Sequence, residues 1–399
     1  MTRLASGRIQ RKDTCSAVER IMNRNKTLLG RFSKFSFTLL LTGSLVIAPD
    51  ALAEPEFVTM DQYMEIHPGQ KPISAAFNRQ VQDKSVPVSN QNHTPVKIAV
   101  VYPALQASDY WRRSVSSFEA RLKELKVNYQ MDTYFSRPSG DIQLQNQQLL
   151  KAVQSGADYL IFTFNQKHHQ RLIEKLLVRG KPKLILQNIT TPVSRWLRHR
   201  PMMYVGFDHA TGSQKMAREL ATRLNHQGKY LMLYFSDGYI SEMRGDTFAK
   251  AISKHKSITQ VGSFYTDGNR SKATNATLDT LRQHPDIELI FANSTDIALG
   301  AIDALEKLKL KQPILVNGWG GGDAELNALL DKKLSLTVMR MNDDNGVAMA
   351  EAIKLDIENK PEQVPHVYSG ELTLVDQNIS PAELDQLKKR AFRYSGVTQ

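Results

Sequence analysis

From Val96 onward the chain alternates short apolar runs with amphipathic stretches, and it does so in two successive series. Residues 96–102 are apolar except for Lys97, after which Trp111, Val115, Phe118, Leu122 and Leu125 fall at helical spacing. The run predicts a strand buried on both faces, and the spacing predicts one face of a helix. The unit recurs as strand 129–135 with helix 142–153, strand 159–164 with helix 169–178, and strands 184–187 and 203–207. A second series follows: helix 213–224, strand 230–235, helix 241–255, strand 260–265, helix 275–283, and strands 289–292, 313–316 and 334–339. Strands separated by helices are joined by crossovers rather than hairpins, which makes each series a parallel sheet covered by helices. The expected fold class is therefore α/β, with two similar doubly wound parallel-sheet lobes joined by a multi-strand hinge.

Helix 347–358, the proline-flanked segment 361–365, a strand around 367–375 and a last helix 381–390 complete the pattern. The chain is expected to cross between lobes near Asp208, near residues 342–344 and near Tyr368. This assigns 96–208 plus 342–367 to the first lobe and 209–341 plus 368–399 to the second. Residues 54–95 have little periodicity and end in a polar, proline-punctuated stretch, read as a strap before the first strand. A hinge between two similar lobes makes a cleft that closes on a ligand.

The first 53 residues are a separate matter. Arg24, Lys26, Arg31 and Lys34 precede an apolar run from Phe35 to Ile47, and Ala51-Leu52-Ala53 follows it. That is the layout of a secretory signal cleaved after Ala53, with Met22 a start that would give a leader of ordinary length. Nine of the 52 Lys and Arg and three of the 40 Asp and Glu lie in this leader, so 43 basic and 37 acidic residues remain and the balance falls from +12 to +6. No basic run is left of the kind that nucleic-acid binding requires. Cys15, the one cysteine, is also in the leader, so the exported chain has no thiol and its stability comes from its core.

No nucleophile elbow, His-Glu-x-x-His or phosphate loop occurs, so no catalytic constellation is expected. His168-His169 has no partner at metal-ligand spacing and reads as a solvated helix start. The polar clusters that follow the strands are more informative, because ligands of open α/β sheets bind at the carboxyl ends of strands. Gln106 to Trp111 follows the first strand and Gln187 to Pro192 follows another. In the second series Ser236-Asp237-Gly238 leads to Arg244, Ser294-Thr295-Asp296 follows 289–292, residues 317–322 follow 313–316, and Arg340 ends 334–339. The glycines 318–322 predict a tight turn that presents Trp319. Two arginines in one cleft call for an anion, unless each is paired with a carboxylate such as Asp246 or Asp343.

The strings VVYPALQASDYW, LILQNITTP, YVGFDHATGS, LYFSDGYISEMRGDTF, STDIALGAIDAL, VNGWGGGDAEL and TVMRMNDDNGVAMAEAIK resemble the LuxP-type autoinducer-2 receptors of quorum sensing, within the ribose-type class I periplasmic binding proteins. The resemblance covers about residues 96–394; Asn293 and Ala104-Leu105 depart from the receptor pattern. It implies a periplasmic protein that binds a furanosyl borate diester without a cofactor and without catalysis, and that regulates a LuxQ-type membrane sensor kinase. The ligand set it implies is Gln106, Ser108, Trp111, Asn188, Arg244, Ser294, Thr295, Asp296, Trp319 and Arg340. A sugar-binding protein of the same fold, serving a transporter or chemoreceptor, is the alternative.

Overall fold

The structure, a computed structural model, describes residues 56–164, 169–196, 198–310 and 312–396. The expected leader, with its cleavage site, Met22 and Cys15, lies outside the described residues, as does His168.

Two short helices open the described chain, α1 (Met60–Ile66) and α2 (Gln70–Gln82), where only an irregular strap was expected. Thr59 and Gln62 form a reciprocal capping box on α1. Phe77 and Val81, one turn apart on α2, enter the core of the first lobe, where Phe77 meets Tyr368 edge to face at 5.9 Å. Ile73, four residues before Phe77, is only half-buried, so the stripe these three form is a single residue wide and lacks the i+3 neighbours that mark a helical period.

The first sheet contains β1 (Val96–Tyr102), β2 (Tyr129–Phe135), β3 (Tyr159–Phe162), β4 (Lys183–Gln187) and β5 (Met203–Phe207), interleaved with α3 (Tyr110–Glu124), α4 (Ile142–Gln154) and α5 (Gln170–Arg179). The second contains β6 (Gln227–Tyr234), β7 (Ser257–Tyr265), β8 (Leu289–Ala292), β9 (Leu315–Gly320) and β10 (Leu336–Arg340), with α6 (His209–Arg223), α7 (Thr247–Ile252), α8 (Arg270–Gln283), α9 (Thr295–Leu308) and α10 (Asp323–Leu330). The interior strands are buried along their length, whereas β2 and β7 at the edges are partly exposed. This is why the interior strands read as unbroken apolar runs. His169, expected to be solvated, is buried and packs edge-on against Phe162 at 5.0 Å.

The strand expected around 367–375 is two strands, β11 (Val367–Gly370) and β12 (Leu372–Asp376), separated by Glu371. The sheet orders are β11-β5-β4-β3-β1-β2 and β12-β10-β9-β8-β6-β7. β11 runs parallel to β5, and β12 antiparallel to β10. Both follow from one extended segment that reaches the cleft with the strands of one sheet and leaves it against those of the other. The Met341 amide donates to the Glu371 carbonyl at 2.9 Å, tying two of the crossings together.

α11 (Asp343–Ile357) is buried against α3 and the first sheet. α12 (Pro381–Ala391) follows β12, but the residues after it return to the first lobe instead of staying with the second. There the Tyr394 and Ser395 amides donate to Asp343 at 2.7 Å, and Arg393 meets Asp344 at 3.0 Å.

Candidate functional site

The strand ends of both sheets face one another across the hinge, and the lobes touch there. Asp296 accepts from the amides of Ala107 at 3.0 Å and Ser108 at 3.4 Å. The Ser139 and Ser236 hydroxyls lie 2.6 Å apart, and the Thr190 amide donates to the Tyr239 hydroxyl at 3.3 Å. Arg113 and Asp323 form an ion pair at 2.7 Å.

Arg244 lies in a single π-helical turn, Ser241–Asp246, that precedes α7, where a continuous α-helix was expected. The wider turn is a recurring feature of functional positions in helices. Its guanidinium carbon lies 3.9 Å from the centre of the Trp319 ring, Nη1 donates to the Asn293 carbonyl at 2.7 Å, and Nε donates to His209 Nδ1 at 3.2 Å. Trp319 belongs to β9 itself rather than to a turn after it. Its indole N–H donates to Ser213 at 3.3 Å, and its ring lies against Gly212, where a Cβ would come within 2.8 Å. Only glycine in α6 leaves room for the indole.

Arg340 ends β10 and crosses to the first lobe, where its guanidinium carbon sits 3.9 Å from the centre of the Tyr110 ring. Its Nε donates to the Gly320 carbonyl at 3.4 Å. Tyr110 is held by Gln187 and Asn345, whose amides donate to its hydroxyl at 3.0 and 2.9 Å.

Both arginines are 4% exposed, and the partners found for them among the described residues are carbonyls, an imidazole and aromatic rings. The carboxylates that could have paired with them are engaged elsewhere, Asp246 by the Tyr234 hydroxyl and Asp343 by Tyr394 and Ser395. The pairing alternative therefore fails. Burial, and then the charge of Arg340, press the Arg244 pKa well below its ordinary value; burial also lowers that of Arg340. Burial, followed by the charge of Arg244, holds the His209 pKa far below its usual range. His209 is thus neutral, with Nε2–H donating to the Asn188 carbonyl at 3.1 Å and Nδ1 accepting from Arg244. Four buried polar atoms beside these groups have no partner among the described residues: Asn188 Oδ1, Asn293 Oδ1 and Nδ2, and Ser294 Oγ. Buried polar groups are ordinarily satisfied by a partner or by ordered water, and these four belong to the candidate site.

The expected ligand residues divide into two groups. Asn188, Arg244, Ser294, Trp319 and Arg340 converge, with Thr295 opening α9 beside Gly320. Asn188, just after β4, has φ +67°, in the left-handed region. Asp296 and Ser108 bond to each other across the mouth, and Gln106 donates to its own loop at the Pro103 carbonyl, 2.5 Å away, along a mouth groove of about 450 Å³. Trp111 packs into the first lobe's core, its ring 4.6 Å from that of Tyr102. Sequence reasoning assigned no role to Tyr110, His209 or Glu325. His209 and Tyr110 stand inside strings already singled out, but nothing in a linear pattern says that an imidazole will bond to a guanidinium 35 residues away.

Two α/β lobes whose strand ends meet around buried polar and cationic side chains define a solute-binding architecture, in which the lobes close on a small molecule. The chain belongs to the periplasmic binding protein family: a family model described as "Periplasmic binding protein domain" matches residues 98–361. It is similar to the ribose import binding proteins of Salmonella typhimurium and Escherichia coli, each 28% identical over 173 residues, which are 43% of this chain and 57% of the relative. The matched stretch thus spans little more than half the length of these curated relatives. Among solved structures, a glucose-galactose binding protein from Geobacillus stearothermophilus superposes with a TM-score of 0.65 at 19% identity, covering 72% of this chain and 100% of that one. A transporter solute-binding protein from Actinobacillus succinogenes with bound D-allose gives 0.61 at 22% identity, covering 71% and 98%. These structures share the fold, of the class I ribose type. The family is one of periplasmic solute-binding proteins, and no helix among the described residues is long and apolar enough to cross a membrane.

Proposed function

We propose that this protein is a periplasmic receptor that closes its two lobes over a small polyhydroxylated anion, and that the ligand is autoinducer-2 as the furanosyl borate diester. The observation that carries this reading is the pair of buried guanidinium groups, Arg244 and Arg340, with no carboxylate partner found for either among the described residues. A tetrahedral borate ester is a monoanion, and each charge-assisted hydrogen bond to it would contribute roughly 1.5–3 kcal/mol. Asn188, Asn293 and Ser294 offer acceptors and donors for hydroxyl groups, and the Trp319 face carries Arg244 on one side of the cleft. Arg340 already reaches the Tyr110 ring of the opposite lobe, so neutralising its charge favours the closed arrangement over the open one. A LuxQ-type membrane sensor kinase would read that closed arrangement.

The test is isothermal titration of residues 54–399 with the autoinducer-2 precursor, with and without borate. Tight binding that requires borate supports the receptor; ribose or galactose binding without boron selects a second reading, a sugar-binding protein for a transporter or chemoreceptor. That second reading is favoured by the ribose import proteins among the relatives.

A further inference from the structure

The arginines share the cleft with a carboxylate that lies behind them. Glu325, in the first turn of α10, is fully buried. Its Oε1 accepts from the Trp319 amide at 2.9 Å, and its Oε2 accepts from the Gly321 amide at 2.8 Å and the Thr337 hydroxyl at 2.5 Å. Three donors converge on it, and a carboxylate has acceptor sites for all three.

These bonds join Glu325 to both arginines. The Gly321 N–H and the Gly320 carbonyl belong to one peptide unit, and that carbonyl accepts from Arg340 Nε at 3.4 Å. The Trp319 N–H belongs to the residue whose indole lies under Arg244. Glycines make room on both sides. A Cβ at Gly318 would come within 2.6 Å of Glu325 Oε2, and one at Gly320, whose φ is +152°, within 2.7 Å of Arg340 Nη2.

The other charges near the cleft are engaged. Asp109 is held by Arg113 at 2.6 Å, Asp296 lies out at the mouth, where it accepts from two backbone amides, and His209 is neutral. The enclosed part of the cleft therefore holds, among the described residues, two cations and one anion.

We propose that Glu325 sets the charge of the ligand: by leaving the cleft one net positive charge, it selects a singly charged polyol anion and rejects a doubly charged one such as a sugar phosphate. This rests on the anion-binding reading above and deepens it. A phosphate monoester carries about −1.5 to −2 charges at pH 7, and its second charge would face Glu325 across an enclosed site with little solvent to screen it.

The test compares ribose, ribonate and ribose 5-phosphate by calorimetry and tryptophan fluorescence. The wild-type protein is expected to prefer ribonate to ribose 5-phosphate. Glu325→Gln, which leaves two uncompensated cations, should raise the affinity for ribose 5-phosphate relative to ribonate on the order of tenfold. Thr337→Val removes one hydrogen bond from the same carboxylate but no charge, and should leave the ratio where it was. A ratio that moves no further in Glu325→Gln than in Thr337→Val overturns the proposal. Arg340→Gln alters the same balance from the other side, and serves should the Glu325→Gln variant not fold; it is expected to lose the preference for ribonate over ribose, and keeping that preference also overturns the proposal. Wild-type protein that takes ribose and neither anion brings down the anion reading itself. Equal binding of the two anions leaves that reading standing and removes the role of Glu325.

Discussion

Among the described residues two pairs of arginines are buried, and they are satisfied in opposite ways. Behind the cleft, Arg121 of α3 meets Glu351 of α11 at 2.6 Å, and its remaining N–H groups reach the Tyr394 hydroxyl and the carbonyls of Gln80 and Asp83. Arg113 meets Asp109 at 2.6 Å and Asp323 at 2.7 Å, and lies 3.8 Å from the Phe392 ring. Burial opposes the charge of Arg121, yet Glu351 outweighs it and the pKa is raised. In the cleft, burial opposes the charges of Arg244 and Arg340 with no ion pair among the described residues to offset it, and both pKa values are lowered. The same residue type at the same depth is ion-paired in one place and left without a carboxylate partner, among the described residues, in the other. What distinguishes them is the partner, not the burial.

The largest effect that would sharpen this contrast is on stability. Arg121→Met should cost about 3–5 kcal/mol, because Glu351 would be left buried without its cation. A urea unfolding midpoint close to wild type would show that the two pairs do not differ as described. Arg244→Met is the complementary experiment. It removes a buried cation that lacks an ion pair, so the unliganded protein should unfold at the wild-type midpoint or above it, while anion affinity falls by about 2–5 kcal/mol. A loss of stability as large as that of Arg121→Met would place Arg244 among the structural arginines.

A smaller effect is expected at the strap. The His366 ring nitrogen bonds the Tyr63 hydroxyl of α1 at 2.6 Å, and burial, then Arg200, lower its pKa from 6.5 to about 4. The unfolded chain therefore takes up this proton first as the pH falls. The contribution to stability is complete above pH 6.5 and is lost progressively down to about pH 4. Thermal melts across that interval should show a steeper decline for wild type than for His366→Asn, and parallel curves would remove His366 from the account.

The lobes were legible because burial on both faces leaves a mark in sequence: β1, β3, β5 and β8 are runs of apolar residues bounded by polar ones. α2 was not, since of its apolar residues only Phe77 and Val81 are fully buried, and with half-buried Ile73 they form a stripe one residue wide. The break at Glu371 was not either, because a strand that changes sheets keeps one extended backbone and one alternation. In the cleft, the residue types at the strand ends were readable, and Arg244, Trp319 and Arg340 stood out among them. Their partners were not.

By itself, then, the sequence determined that this chain builds two parallel-sheet lobes and sets polar and cationic side chains at their strand ends, since both follow from local period and local punctuation. Only the tertiary structure decided that Arg121 finds Glu351 while Arg244 and Arg340 find no carboxylate among the described residues, that His209 is locked neutral between Asn188 and Arg244, and that Glu325 stands behind both cations. Burial and charge pairing depend on which distant residues share a volume, and 230 residues separate Arg121 from the carboxylate that satisfies it.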